Sequence, residues 1–509
     1  MTTTIRGCSA MNAATSGRRC GRTRTVTSAH APTPGRRRPR RVSASRNRRG
    51  ASMIAPDAGT APVAAQEHRG LGRPRRFTAP ALLIVYVVLL FAVPSNIAIA
   101  GMGGLGRPAM LWALMLLVWW VLSHLQRQGE DVPPPMQPVR WALGALAVIV
   151  LLSFAAALLR GQPAEQVSPA LTAIIRFGSW CGVVLVTMDG VRTHNDVVRI
   201  VRVLVIATGC MAVLGVAQFL MGSSLLEWVG SVPGLSYDWG GIDSRGQFIR
   251  AAGTATHPLE FVAALVTVLP VALAVAITGG LTRHHSKPWL WWGIVILMLF
   301  VCLISVSRSA IIGVVVAMAM FLPWMPRGYR AVGAVGAVGA AVAVVALVPG
   351  MWSATVTLFV GVAEDSSTQS RTGALERIPD FLASSPLIGQ GWGTFTSRYY
   401  VFDNQWAGLL IEIGVAGVLA LLGLIVSAVW SAVSAGQGTP FADTRILSGA
   451  VASGLVAMAV VLFLFDGISF PIAAGVFFLL IGLSAALRRI VVSDMALAES
   501  RRLVGRERR

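Results

Sequence analysis

The chain is predicted to be an all-α polytopic membrane protein, and three observations carry that reading: its composition, its apolar runs of spanning length, and the sidedness of its arginines. Of 509 residues, 55% are hydrophobic and 13% charged, with a mean hydropathy of +0.68, against a charged share of about a quarter in soluble domains. A spanning helix needs about 20 mainly apolar residues, and that template predicts about twelve of them. They lie near 78–98, 107–124, 141–159, 169–188, 198–221, 258–279, 288–305, 309–325, 330–350, 405–433, 446–465 and 470–487.

The formal charge of +21 reads as a nucleic-acid signature until it is located along the chain. Residues 1–76 hold seventeen arginines against Asp57 and Glu67, so this stretch alone supplies +15. Nucleic acid is therefore not the expected partner. The stretch is rich in Arg, Ser, Thr, Pro and Gly and cannot bury enough surface to fold. It is expected to be a disordered cytoplasmic tail, suited to anionic lipid headgroups or dispensable, since Met53 could serve as the start. It has no apolar core followed by a small-residue cleavage site, so it does not read as a secretory signal. The remainder divides into a transmembrane catalytic domain over 77–490 and a basic cytoplasmic tail over 491–509. Cys8 and Cys20 fall in the first tail and Cys181, Cys210 and Cys302 in apolar segments, with no disulfide or metal spacing among them.

Orientation follows from arginines in short loops. With the N-terminus inside, alternation places Arg127 and Arg140, Arg192 and Arg199, Arg283 and Lys287, Arg327 and Arg330, Arg445, and the segment 488–509 inside as well. Both termini are then cytoplasmic in a plasma-membrane protein. The two longest connections, 222–257 and 351–404, face outward. No nucleotide-activated substrate is expected there, so chemistry on that face must use a membrane-delivered, already activated one. The run AVGAVGAVGAAVAVVA at 331–346 brings Gly333, Gly336 and Gly339 close together, as tight helix packing in membranes requires.

Arg245, Arg250, Arg308, Arg371, Arg377 and Arg398 break the positive-inside trend. A guanidinium fork matches phosphate oxygens bidentately, so this outer set suggests an anionic, lipid-borne ligand. An arginine costs about 2.5–3.5 kcal/mol at a membrane helix centre; Arg308, between two apolar runs in ISVSRSAIIG, needs a compensating partner. In IRAAGTATHPLEF, Pro258 suits a first helical turn, with His257 at the entry and Glu260 inside the turn. Either is a candidate for catalysis, and either could serve only the helix end. The glycines of PLIGQGWGTF lack the Lys-Ser/Thr of a phosphate loop and read as turn positions needing positive φ. In FDNQWAGLLIEIGVAG, Asn404 can cap a helix, and Gly414 and Gly417 permit close packing.

Three stretches together resemble the O-antigen ligase/polymerase superfamily of integral membrane glycosyltransferases. LISVSRSAIIG, with Ser307 and Arg308, is similar to that family's SR pair at a helix mouth. Arg371 followed by PLIGQGWGTF resembles its R…PLxGxGxxxF loop. Asp403, Asn404, nine residues, Gly414, two residues and Gly417 resemble the ligase pattern that opens on His-Asn, with aspartate where the histidine stands. The resemblance covers about residues 200–430. It implies a GT-C-like fold with a large extracytoplasmic loop before a late helix, and an inverting transfer from a polyprenyl-diphosphate-linked glycan that uses no metal or other cofactor.

In the ligases the histidine activates the acceptor hydroxyl, and aspartate, with an unperturbed pKa near 3.9 against about 6.5, is the weaker base. The base is thus open among Asp403, His257 and Glu260, and the change favours a polymerase over a ligase. Arg308 and Arg371, helped by Arg250 and Arg377, are expected to hold the donor diphosphate, where preorganised cations best stabilise a departing anion. The expected partners are the lipid-linked donor, a glycan acceptor, membrane lipids, and a chain-length regulator or flippase. Two rivals stand beside this: a ligase delivering a finished glycan to a lipid, wall or protein acceptor, and a secondary transporter or lipid-glycan flippase. Transporters usually carry internal repeats and broken helices at the midplane, whereas this sequence shows no internal repeat and gathers its polar groups at the outer mouths.

Overall fold

The structure, a computed structural model, describes residues 78–126, 136–237, 243–245, 248–281, 287–305, 307–331, 333–335, 376–396, 399 and 402–507. The basic stretch 1–76, Arg371, Arg398, the side chain of Arg245 and nearly all of the Ala-Gly run at 331–346 lie outside the described residues.

The helices are α1 (Ala79–Ala92), α2 (Pro108–Leu125), α3 (Pro138–Leu159), α4 (Ala164–Gly190), α5 (His194–Met221), α6 (Pro258–Ile277), α7 (Pro288–Ile304), α8 (Arg308–Phe321), α9 (Gln405–Gly438), α10 (Ala442–Val461) and α11 (Pro471–Glu507). Six of them, α1, α2, α3, α6, α7 and α11, have proline in the first turn, where no backbone N–H is missed. Eight are long and apolar enough to cross a membrane: α2 to α6 and α9 to α11. The other three, α1, α7 and α8, are shorter apolar helices. The expected span at 78–98 ends at Ala92, because Pro94 disfavours helix in the residue before it. At the other extreme α11 continues to Glu507, so most of the expected tail at 491–509 is helical, exposed from Ser493 onward. The expected span at 330–350 lies largely outside the described residues.

The innermost helix is α6, whose apolar window is 94% buried, with α11 and α10 next, whereas α2 is only 17% buried and lies at the periphery. α6 packs on α5, α7, α8, α10 and α11. Small residues allow that closeness: a Cβ on Gly454 of α10 would strike the carbonyl of Thr267 in α6, and one on Gly215 of α5 would overlap the Phe261 ring.

The helix ends sort into two faces. At one, β1 (Ile97–Ile99) pairs antiparallel with β2 (Leu235–Tyr237), and β3 (Asp243–Arg245) with β4 (Phe248–Arg250). Glu260, in the first turn of α6, accepts the Ile472 N–H at the start of α11 at the same face. At the opposite face Arg489 donates to the carbonyls of Asp189 and Val191, at 3.1 and 2.8 Å. There the buried Asp189 carboxylate pairs with Arg140 and accepts from Trp120 Nε1 at 2.8 Å.

Candidate functional site

The site forms where α9 begins. Asn404 is its N-cap, with Oδ1 accepting the N–H groups of Trp406 and Ala407 at 3.0 and 3.3 Å. Gln405 fastens this end to the turn that follows α10. Its N–H donates to the Leu462 carbonyl at 2.9 Å, and its Oε1 accepts the Ile468 N–H at 2.6 Å. Asp403, just before the cap, and Asp466, within that turn, thereby come to the same place.

Ten residues into α9 the helix breaks. Gly414 has φ 65° and ψ −172°, a region open essentially to glycine alone. The break frees backbone groups that must be paired inside a membrane, and the PLIGQG segment supplies the partners. Gln390 and Gly391 donate their N–H groups to the carbonyls of Ile411 and Glu412, at 2.8 and 2.9 Å. The Ser153 hydroxyl joins the Glu412 carbonyl at 2.8 Å. In return Val415 and Ala416 donate to the carbonyls of Pro386 and Leu387, at 3.0 and 3.1 Å. Glycine is required on both sides of this joint, since a Cβ at Gly389 would meet the Glu412 carbonyl and one at Gly414 the Leu387 carbonyl. Gly414 therefore packs on loop backbone rather than on a neighbouring helix. Gly417 makes room for the side chain of Ile413 from its own helix.

With the loop docked, the Glu412 carboxylate accepts the N–H groups of Gly393 and Phe395. Two chambers open around it. The first, of about 300 Å³, is lined by His257, Asp403, Asn404, Glu412 and Asp466, among others. The second, of about 390 Å³, is lined by Ser168, Thr172, Arg176, Trp392 and Thr396. Phe395, Gln405, Glu412 and Ser469 line both and form their common wall. A cluster of Phe381, Phe395 and Phe402, with ring centroids 5.1 to 6.4 Å apart, closes over the mouth of α9.

Burial pushes the Asp466 carboxyl above the ordinary carboxylate range. The Ser469 hydroxyl and Arg176 oppose that rise, nearby Asp403 adds to it, and the Gln405 amide opposes it again. His257 is the N-cap of α6, and its Nδ1 accepts the Leu259 N–H at 3.1 Å. An accepting Nδ1 leaves the hydrogen of the neutral ring on Nε2, which makes Nε2 a donor. Glu260 is fully buried and bound on both oxygens: Oε2 accepts from Ser95 Oγ and Thr256 N–H at 3.0 and 2.8 Å, and Oε1 from Ile472 N–H at 2.7 Å.

Of the residues the sequence singled out, Asp403, His257 and Asn404 thus share one chamber, while Glu260 sits behind it in the wall between α6 and α11. Arg250 is buried, Arg308 half-buried at the first turn of α8 beside Ser307, and Arg377 exposed on a short helix over 376–382. These three line neither chamber, and Arg371 lies outside the described residues. Glu412, Asp466 and Arg176 were missed. Two of them carried a signal, because a charge inside an otherwise apolar span is costly and marks function by default; Glu412 in GLLIEIGV and Arg176 in TAIIRFGS are such charges.

A bundle of apolar helices around a charged site that a docked loop completes defines a polytopic helical membrane protein with the site inside its helical body. Residues 293–422 match the family model described as O-antigen ligase. The matched segment runs from α7 through the PLIGQG loop to the broken part of α9, and holds Arg308, Asp403, Glu412, Gly414 and Gly417. It supports the O-antigen ligase/polymerase superfamily, and with it a glycosyltransferase-like function on a lipid-linked glycan. No curated protein matches the chain.

Proposed function

We propose that the protein polymerises polyprenyl-diphosphate-linked oligosaccharide units into a cell-surface polysaccharide at the extracytoplasmic face of the membrane. The observation that carries this reading is the acidic chamber in which Asp403, Asp466, Glu412 and His257 meet, built largely from the segment that matches the O-antigen ligase family.

The acceptor hydroxyl attacks the anomeric carbon of the donor from the face opposite the diphosphate. The new C–O bond forms as the bond to phosphate breaks, which inverts the carbon, and the diphosphate leaves with the electron pair. Arg308 and Arg371, supported by Arg250 and Arg377, hold that anion outside the chamber, which Arg250, Arg308 and Arg377 do not line, and no metal is needed. Asp403 takes the hydroxyl proton. It is the candidate base that both lines the chamber and is not committed to capping or bracing a helix. His257, with its hydrogen on Nε2, donates to a sugar oxygen instead. Glu260 acts by positioning: its bonds to Ser95, Thr256 and Ile472 fix the helix end that carries His257.

The broken helix in α9 is the observation that favours the transporter reading. In a transporter the unwound backbone faces the cargo. Here the freed carbonyls of Ile411 and Glu412 are taken by Gln390, Gly391 and Ser153, and what remains open is carboxylate. The same joint is used here to aim Glu412.

Twelve spans with both termini cytoplasmic and a GT-C-like arrangement belong to this proposal. What supports the twelfth is parity. After α8, Trp324 packs on Gly436 and Gly449, at the face where α9 ends and α10 begins, whereas α9 begins at the site face. A twelfth span between them would carry the chain back to the site face.

Full-length protein supplied with a synthetic polyprenyl-diphosphate oligosaccharide should yield a ladder of products from donor alone. Arg308→Ala should lower that yield by about 100-fold or more, the usual loss of a charge-stabilising group, with the protein still in the membrane. Wild-type chain lengths from this variant would remove the diphosphate clamp from the mechanism. A single product that forms only with a separate acceptor would make the protein a ligase.

A further inference from the structure

We propose that the second chamber, built around Arg176, seats a second lipid-borne anion: the phosphate-bearing head group of an acceptor lipid, held while the sugar of the donor occupies the first chamber. This rests on the polymerase reading in one respect, since growth from lipid-linked units alone consumes two such substrates for every bond formed.

Arg176 lies well inside α4, about 18 Å of helix rise from its first residue. A guanidinium at such a depth costs about 2.5–3.5 kcal/mol on insertion scales. Its Nη1 donates a long hydrogen bond to the Ser469 carbonyl, at 3.3 Å. It is joined by a second arginine. Arg107, the N-cap of α2, and Arg176 line one narrow cleft between α1, α2 and α4, together with Tyr86, Leu90, Met110 and Trp180. At about 40 Å³ that cleft has room for a water-sized group. The 390 Å³ chamber it adjoins across Arg176 and Trp180 is of ligand size.

The chemistry of the chamber selects the ligand. Arg176 in the chamber wall, with Arg107 beyond it in the adjoining cleft, favours a multiply charged anion, and the guanidinium fork fits phosphate oxygens. Ser168, Thr172 and Thr396 add hydroxyl donors, and Trp180, Trp392 and Phe395 add apolar surface. The chamber is flanked by α4, which packs on α2, the least buried spanning helix, so a ligand with an apolar chain can keep that chain at the periphery of the bundle. Its sugar then reaches over Gln405, Glu412 and Ser469 into the first chamber. The competing account makes Arg176 a counter-ion for Glu412 and Asp466 and nothing more.

The test is a count of bound lipid. Full-length protein in nanodiscs, titrated with a radiolabelled polyprenyl diphosphate that carries no sugar, should bind two equivalents. Arg176→Gln should weaken one of them at least about 10-fold, and Arg308→Gln should weaken the other. Thr172→Val, which keeps shape and charge, should weaken the Arg176 equivalent by a few-fold and carries the test if Arg176→Gln does not fold. One equivalent in the unaltered protein, or two with unchanged affinities in both Arg176→Gln and Thr172→Val, overturns the second seat. The count is independent of turnover: two equivalents that respond as expected, with no product ladder from donor alone, would leave the seat standing and remove the polymerase reading.

Discussion

Asp466 sits in a turn rather than in a helix, yet it lines the first chamber beside Asp403 and Glu412. Burial raises its folded-state pKa above the ordinary carboxylate range, Asp403 adds repulsion, and Ser469, Arg176 and Gln405 only partly offset this. The folded protein therefore holds a proton that the unfolded chain has already released once pH passes about 4. Where the native state binds more protons, stability falls as pH rises, and the fall ends above the folded-state pKa. Thermal unfolding in detergent should show that decline across the window just above the ordinary carboxylate range. Asp466→Asn cannot titrate and should flatten it; an unchanged slope would mean that Asp466 is not the group responsible. Little of this was legible in the sequence, where LFLFDGISF reads as a short loop between two spans. Asp403 was legible through its neighbours Asn404, Gly414 and Gly417, but its companions were not, because Asp466 and Glu412 reach it only through the fastening of Gln405 to Leu462 and Ile468 and through the break in α9.

The element that organises the site is the joint between α9 and the PLIGQG loop. The sequence identified the loop glycines as positions of positive φ, and Gly389, Gly391 and Gly393 adopt φ of 72°, 134° and 72°. What it could not reveal was their partner. A 34-residue apolar helix has no composition signal for a break, and Gly414 read as a packing glycine because helical spacing to Gly417 suggests one. A substitution at Gly414 should separate the two roles. Gly414→Ala places a Cβ against the Leu387 carbonyl and forces alanine into a conformation that costs about 1–3 kcal/mol. It should lower thermal stability accordingly and reduce the product ladder by at least about 10-fold by withdrawing Glu412 from its loop partners, with helix content unchanged by circular dichroism. Gly423→Ala, in the same helix with nothing within 4 Å of the added Cβ, is the control, and should be neutral or stabilising by up to about 1 kcal/mol. Equal stability and activity in the two variants would mean that the break is not needed.

For the whole molecule the question is which face meets the cytoplasm, and the arginines give an answer once their surroundings are counted with their number. Both faces carry them. At the site face Arg250 is buried, Arg160 is bonded to the Gly389 carbonyl at 3.0 Å, and Arg107 and Arg176 line an internal cleft. Arg308 is half-buried as well, so only Arg160 and Arg377 are exposed at this face among the described residues. At the opposite face Arg192, Arg199, Arg327, Arg445, Arg501 and Arg502 stand in short loops and helix ends, and all six are exposed. Loop arginines of this kind are the ones that set orientation, so the site face should be extracytoplasmic and the end of α11 cytoplasmic. Single cysteines in a cysteine-free background test this directly. Ser231→Cys and Ser384→Cys, both exposed near the site, should react with a membrane-impermeant maleimide on intact cells. Ser493→Cys, exposed on the far extension of α11, should react only after the membrane is opened. The reverse pattern would put the acidic chamber in the cytoplasm, where a nucleotide-activated donor is available, and a reaction confined to lipid-linked donors would lose its reason.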